Sequence, residues 1–430
     1  MKILRSYPLR SVLLLLIAFI VLVVVANIML FNAMPKPIRL QSLPTPDYGI
    51  ADPRFQRSMG ALLNYPLVEG NEVTVLRNGE AIYSAMIEAV DQAKHSVSFE
   101  TYEFWGEDSA GALSDALVRA AERGVRVHAL IDFIGSRSAA PEKFERMQAA
   151  GVEVELWRKP SWYQLARFNH RTHRKLLLVD GGVGFTGGAN IANNWLPEGD
   201  KTYRDNHFLI RGPVVASMQS TFAESWLDAR GDWLHGEAYF PELEQQGALT
   251  LQMVNSSPRE GRHRMRPMLL YAISAAQSQI TAATAYFYPD QAFLDALRDA
   301  AQRGVQVRIL VPGDSIDQGY LRQASVNRWG EMLAAGVELY EYQPAMYHSK
   351  LISIDDQWAS IGSTNLDNRS LRINGEANVN LYGEKGAAMI RELIDEDMAD
   401  AERYTLEQWR QRGWSTRFWG AVGSIIGPHL

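Results

Sequence analysis

Two stretches of this 430-residue chain carry the same reactive side chains at the same spacing. The first holds His173, Lys175, Asp180, Gly187, Gly188 and Asn190; the second holds His348, Lys350, Asp355, Gly362, Ser363 and Asn365. Each reads His-x-Lys, four residues, Asp, six residues, Gly-Gly or Gly-Ser, one residue, Asn. Both His-x-Lys pairs open apolar runs, LLLV and LISI, that read as strands. Residues two apart on a strand point to one face, so His and Lys project together. The glycines permit a close turn that brings Asn, a neutral amide donor, toward the same pocket. This set suits attack on phosphorus. A neutral imidazole is a nucleophile or base, and its conjugate acid can protonate a leaving alkoxide. Two lysines and two asparagines can hold non-bridging oxygens as charge builds on them. With one histidine per stretch, one attacks while the other serves as acid and then base. Lysine supplies the positive charge that a metal supplies elsewhere, so no metal or cofactor is expected. A lone His-x-Lys means little, since most histidines are structural or exposed. Of nine histidines, however, two occur in this context, at matching points of a repeat. Asp180 and Asp355 end their strands and could equally be turn or capping residues.

The repeat extends well beyond the motifs. AAERGVRVHALID at 120–132 answers AAQRGVQVRILVP at 300–312, and AAGVEVELW at 149–157 answers AAGVELYEY at 334–342. The motifs follow in the same order, giving a duplicated unit of about 180 residues, far too long for a solenoid. Helical spacing of apolar residues marks 81–93 and 111–122, the latter closed by Gly124. Strands are expected over 96–104, VRVHALID and VEVELW. The second unit repeats this with helices 266–277 and 291–302 and strands QITAATAYF, VQVRILVP and VELYEY. The fold class expected is therefore α/β, two duplicated lobes, each a mixed β-sheet flanked by helices. The lobes are drawn at about 68–240 and 245–410, after a proline-bearing linker at 35–67 that ends in a short helix.

Composition sets outer limits. At 47% hydrophobic and 21% charged residues the chain is globular, and without cysteine it has neither disulfides nor thiolate chemistry. A formal net charge of -6 gives no global basic field for nucleic acid. Residues 11–34 carry no charge, enough for one N-terminal transmembrane helix, and Lys2, Arg5 and Arg10 in the short basic segment 1–10 orient the N-terminus inward. A cleaved signal peptide would have a shorter apolar region. The bulk of the chain is then expected in the periplasm or outside. At 411–430, Trp414, Phe418, Val422, Ile425 and Ile426 recur at helical spacing near Arg410, Arg412 and Arg417. That amphipathic tail suits a membrane interface or the enzyme's own surface in equal measure.

At its paired motifs the chain resembles the phospholipase D superfamily, and more narrowly the bacterial cardiolipin synthases. The likeness covers roughly 60–430, including LLNYPLVEGNEVTVLRNGEAIY, ETYEFWGEDSAG, TAYFYPD and GSTNLDNRSLRINGEANV. It implies a phosphohistidine intermediate and transfer of a phosphatidyl group from one phosphatidylglycerol to another, with release of glycerol. It makes His173 the nucleophile and His348 the acid and base. It also implies a carboxylate downstream of each motif that hydrogen-bonds a catalytic histidine, at Asp205 and Glu376. The phospholipid and the bacterial inner membrane are the partners it implies. One span departs from many such synthases, which have two. Two rivals share the residues: a phospholipase D, with water as acceptor giving phosphatidic acid, and a membrane-anchored nuclease or phosphodiesterase. The acidic balance and the lack of interleaved basic and aromatic runs count against nucleic acid. Two intact motifs argue against a catalytically dead scaffold.

Overall fold

A computed structural model describes residues 9–33, 42–159, 170–197, 202–258 and 261–414. The two copies of the repeat do not build separate sheets. They share a single sheet of 15 strands, whose middle is the antiparallel pair Val68–Arg77 and Leu249–Ser256. Outward from Val68–Arg77 run Asn206–Arg211, Val183–Gly187, Leu176–Val179, Ser96–Thr101, Arg126–Asp132 and Glu153–Trp157. Outward from Leu249–Ser256 the second copy repeats the order: Glu376–Tyr382, Trp358–Gly362, Leu351–Ile354, Gln279–Ala283, Gln306–Pro312 and Glu338–Tyr342. Ala401–Tyr404 extends the second edge. The sheet is mixed in each half. Ser96–Thr101 pairs parallel with Arg126–Asp132 and antiparallel with Leu176–Val179, and Gln279–Ala283 has the same two kinds of neighbour.

The motif strands are apolar, apart from Ser353, because both of their faces are covered. Leu177 and Val179 pack with Ile82 and Leu117 of helices Asn78–Gln92 and Gly111–Glu122. Leu176 and Leu178 face the other way, toward Phe222 and Trp226 of helix Val215–Arg230. That second cluster also takes Leu351 and Ile361 from the other half, and Ile390 of helix Glu384–Met398. One hydrophobic layer therefore crosses the middle of the sheet, which rigidly relates the two motif strands. The pairing at the middle is irregular between Val68 and Asn71, where Gly70 takes the left-handed conformation (φ 86°) and the buried Asn71 amide donates to Val68 O at 2.7 Å.

The helix expected at 81–93 spans Asn78–Gln92, and 266–277 spans Met265–Ala275. Strand 96–104 stops at Thr101, and QITAATAYF stops at Ala283, since Tyr102, Glu103, Thr284 and Tyr286 leave the sheet to face the site. The apolar N-terminal run lies in helix Leu9–Ala33, of 25 residues. Side chains are described there for Ser11 and for 13–24, whose large apolar groups are exposed. Among the described residues no helix is long and apolar enough to cross a membrane. The amphipathic tail falls, from Ser415 onward, outside the described residues, and Trp414 just before it is exposed.

Candidate active site

The segments that precede the two motif strands do not stay within their own copy. Tyr203–Arg204 pairs parallel with Met346–Tyr347, and Thr172 bridges Gly375. The backbone N–H of His173 donates to Gly375 O at 2.8 Å, and that of His348 donates to Arg204 O at 2.8 Å. Each histidine is thereby set beside a carboxylate from the opposite copy. Nδ1 of His173 lies 3.0 Å from Glu376 Oε1, and Nδ1 of His348 lies 2.9 Å from Asp205 Oδ2. Both carboxylates are wholly buried. A hydrogen bond from Nδ1–H to a carboxylate fixes the tautomer and leaves the lone pair on Nε2.

The two imidazoles and the two motif asparagines line one cavity of about 220 Å³, together with groups the sequence did not single out. Tyr102, Glu103, Arg171 and Tyr203 come from the first copy; Tyr286, Asp317, Asp367 and Arg369 come from the second. Asn190 is held by Glu103, accepting from its backbone N–H at 3.2 Å and donating to its carboxylate at 3.3 Å. Asn365 accepts from the Thr284 hydroxyl at 3.5 Å. Tyr203 stacks on His348 with ring centres 5.4 Å apart, and Tyr102 lies 5.5 Å from the ring of His173. Glu103 and Tyr286 occupy equivalent places in ETYEF and ATAYF, a correspondence the repeat itself could have supplied. Asp317 sits in a loop with no counterpart signal, where both its oxygens accept from Tyr286 Oη, at 2.9 and 2.7 Å.

Lys175 and Lys350 are buried behind the histidines and do not line the cavity. Lys175 Nζ donates to His173 O at 2.8 Å; Lys350 donates to His348 O, with its Nζ 3.0 Å from the ring Nδ1. Burial brings Lys175 down to about 8 and Lys350 to about 7. Burial, reinforced by both lysines, holds His173 well below the usual imidazole value. Burial and then Lys350 bring His348 to about 4, against the pull of Asp205. Burial alone would raise Asp205, but its bond to His348 and the nearby Lys350 bring it to about 2. It is therefore an anion. Burial pushes Glu376 up to about 7, only partly opposed by Lys175. In both pairs the imidazole is neutral, the state a nucleophile requires.

The Gly-Gly and Gly-Ser variants of the motif have a structural reason. The Ser363 hydroxyl donates to Glu376 and accepts from Ala377 N at 3.0 Å. A side chain at Gly188 would collide with the Asp205 carboxylate and stand 2.8 Å from His348 O. Asp205 instead draws its extra donors from Trp195 Nε1, at 2.9 Å, and Asn206 N, at 2.8 Å.

Asp180 and Asp355 are not brought to the histidines, which corrects the part they were given in the reactive set. Both lie at the far end of their strands, in left-handed turns with φ of 50° and 53°. Asp180 Oδ1 accepts from His95 N at 2.7 Å and Ser96 N at 2.9 Å; Asp355 accepts from Gln277 N, Ser278 N and Gln279 N at 2.8–2.9 Å. They tie the motif hairpin to the start of the neighbouring strand. Asp132, which sequence reasoning passed over, has a positioning part: its Oδ2 accepts from Thr172 N at 2.9 Å, next to His173.

Comparison with known proteins agrees with this geometry. The family described as "Cardiolipin synthase, PLD-like domain" matches residues 86–226 and 269–398. A cardiolipin synthase of Geobacillus kaustophilus is 32% identical over 404 residues, covering 92% of this chain and 79% of its own. The major cardiolipin synthase of Bacillus subtilis is 31% identical over 369 residues, covering 84% and 76%. Among solved structures, the phosphatidylserine synthase of Haemophilus influenzae superposes with a TM-score of 0.69 at 15% identity, over 87% of this chain and 99% of that one. At that identity the likeness speaks for the fold.

Proposed function

The chain belongs to the phospholipase D-like family of cardiolipin synthases, and from that premise we propose that it is a phosphatidyltransferase joining two phosphatidylglycerol molecules into cardiolipin. The observation that carries the reading is the pair of neutral imidazoles in one cavity, each anchored through Nδ1 to a carboxylate of the other copy. His173 Nε2 attacks the phosphorus of the first lipid, forming an N–P bond as the P–O bond to the headgroup breaks. His348 gives its Nε2 proton to the departing glycerol. The bound phosphodiester is an anion, and its charge favours protonated His348 in that step, against the two lysines. His348, neutral again, then takes the proton of a headgroup hydroxyl of the second phosphatidylglycerol, whose oxygen displaces His173. Asn190 and Asn365 donate to the non-bridging oxygens, and Lys175 and Lys350 supply positive charge from behind the imidazoles.

The charge-free apolar run at 11–34 is the membrane anchor of this reading. The chain would cross the bacterial inner membrane once, with its catalytic part on the periplasmic or outer side. Two measurements test the proposal. Purified protein supplied with phosphatidylglycerol yields cardiolipin and glycerol by mass spectrometry; phosphatidic acid as sole lipid product would replace the transferase with a hydrolase. Cysteine labelling from either side of intact cells, at an exposed engineered site, places the catalytic part.

A further inference from the structure

The cavity holds positive groups that the transfer steps leave unused. Besides the lysine-backed motifs, two guanidinium groups line it: Arg171, two residues before His173, and Arg369, four residues after Asn365. Arg171 Nη1 donates to Tyr102 Oη at 2.7 Å, and its Nε is buried with no hydrogen-bond partner. Such an orphaned donor costs free energy unless something accepts from it. The two arginines act on one another as like charges: Arg369 is lowered first by burial and next by Arg171.

Three carboxyl groups, Glu103, Asp317 and Asp367, line the same cavity, and Asp367 attracts Arg369. Burial raises Glu103 and Asp367 to about 7 each, so both are partly protonated at neutral pH. Asp367 Oδ1 is occupied by Ser370 N at 2.7 Å, and Asp317 is engaged by the Tyr203 and Tyr286 hydroxyls on the His348 side. Two cations held near one another in a small cavity are an anion site, and guanidinium forks match phosphate oxygens.

We propose that Arg171 and Arg369 form a second phosphate subsite, which holds the acceptor lipid's own phosphodiester while its headgroup hydroxyl reaches the phosphohistidine. The inference rests on the transferase reading, in which the product carries two phosphates. A hydrolase would need one. The subsite gives transfer to an anionic lipid an advantage over transfer to a neutral alcohol, since only the lipid brings a charge for the arginines.

The test compares two reactions of the full chain in phosphatidylglycerol vesicles: cardiolipin formation, and exchange of labelled glycerol into phosphatidylglycerol. Exchange passes through the same phosphohistidine with a neutral acceptor. Arg171→Gln and Arg369→Gln are expected to lower the ratio of cardiolipin formed to glycerol exchanged by about tenfold or more, and Arg171→Lys by less. A ratio within twofold of wild type in all three overturns the subsite. Wild-type protein gives a second measurement that needs no variant to fold. Glycerophosphoglycerol, the deacylated acceptor, should outcompete glycerol as a soluble acceptor by about tenfold or more; equal use of the two overturns the subsite. If wild type exchanges glycerol but makes no cardiolipin, the lipid-to-lipid reading itself fails, a result distinct from either.

Discussion

His173 and Glu376 stand 203 residues apart in the chain, in different copies of the repeat, yet Nδ1 of one lies 3.0 Å from Oε1 of the other. The reciprocal pair, His348 and Asp205, crosses in the opposite direction at 2.9 Å. Neither copy holds a complete site. Each supplies a nucleophile or base to the cavity and the carboxylate that orients its partner's. The duplication is thus needed for the chemistry as well as for the core.

That exchange predicts the outcome of removing a carboxylate's charge while keeping its shape. Glu376→Gln is expected to lower kcat by roughly 10²- to 10⁴-fold, by analogy with the loss when a carboxylate that orients a histidine becomes an amide. Asp205→Asn should do the same through His348. Trapping of the phosphohistidine from labelled lipid checks the assignment of roles. His173→Ala should form none, and equal labelling of His173→Ala and wild type would refute its nucleophilic role.

The difference between Gly188 and Ser363 makes a second, asymmetric prediction. Gly188→Ser gives both motifs the same Gly-Ser pair, but its Cβ collides with the carboxylate that holds His348. Activity should fall by at least 10²-fold, in the range of losing a positioned acid or base. Ser363→Gly removes one hydrogen bond to Glu376 and should cost about 1–2 kcal/mol in transition-state stabilisation, roughly tenfold in kcat/KM. Steady-state rates of the two variants, side by side, settle the order. A milder effect at Gly188 than at Ser363 contradicts the geometry.

Asp180 and Asp355 separate stability from catalysis. Each Asp→Ala change strips the acceptor from three backbone N–H groups, a loss of about 2 kcal/mol per site. Thermal melting should drop by a few degrees in a chain of this size. The turnover number per folded molecule should stay within about threefold, since neither carboxylate reaches the cavity. A large fall in kcat with unchanged melting would return them to the reactive set.

How far the sequence could be read depended on which copy supplied each signal. The repeat and the two motif strands were legible because apolar runs and glycines recur at fixed offsets. That the copies merge into a single sheet was not, since the pairing of Val68–Arg77 with Leu249–Ser256 leaves no periodic mark. Asp205 and Glu376 were expected by resemblance, but nothing in the residues told which histidine each would meet. Asp180 was misplaced for a physical reason. An aspartate just past a strand satisfies a hairpin's amides as readily as it serves a site, and spacing cannot distinguish the two. Arg171, Arg369 and Asp317 carried no pattern at all; only the folded cavity gathers them.

The last prediction concerns His207, which borders Gly187 in the first motif's sheet and is wholly buried with neither ring nitrogen hydrogen-bonded. Burial brings its pKa from 6.5 to about 3. In the unfolded chain it binds a proton below about 6.5; in the fold it stays neutral until about pH 3. The unfolded state therefore holds more protons in that window, and stability falls as pH falls through it. Between pH 6.5 and 5 the loss from this one group is about 2 kcal/mol. His207→Phe removes the titration. Its melting temperature should change less between pH 7 and pH 5 than that of wild type, whatever its absolute value. Parallel melting curves against pH for the two proteins would show the acid sensitivity to lie elsewhere.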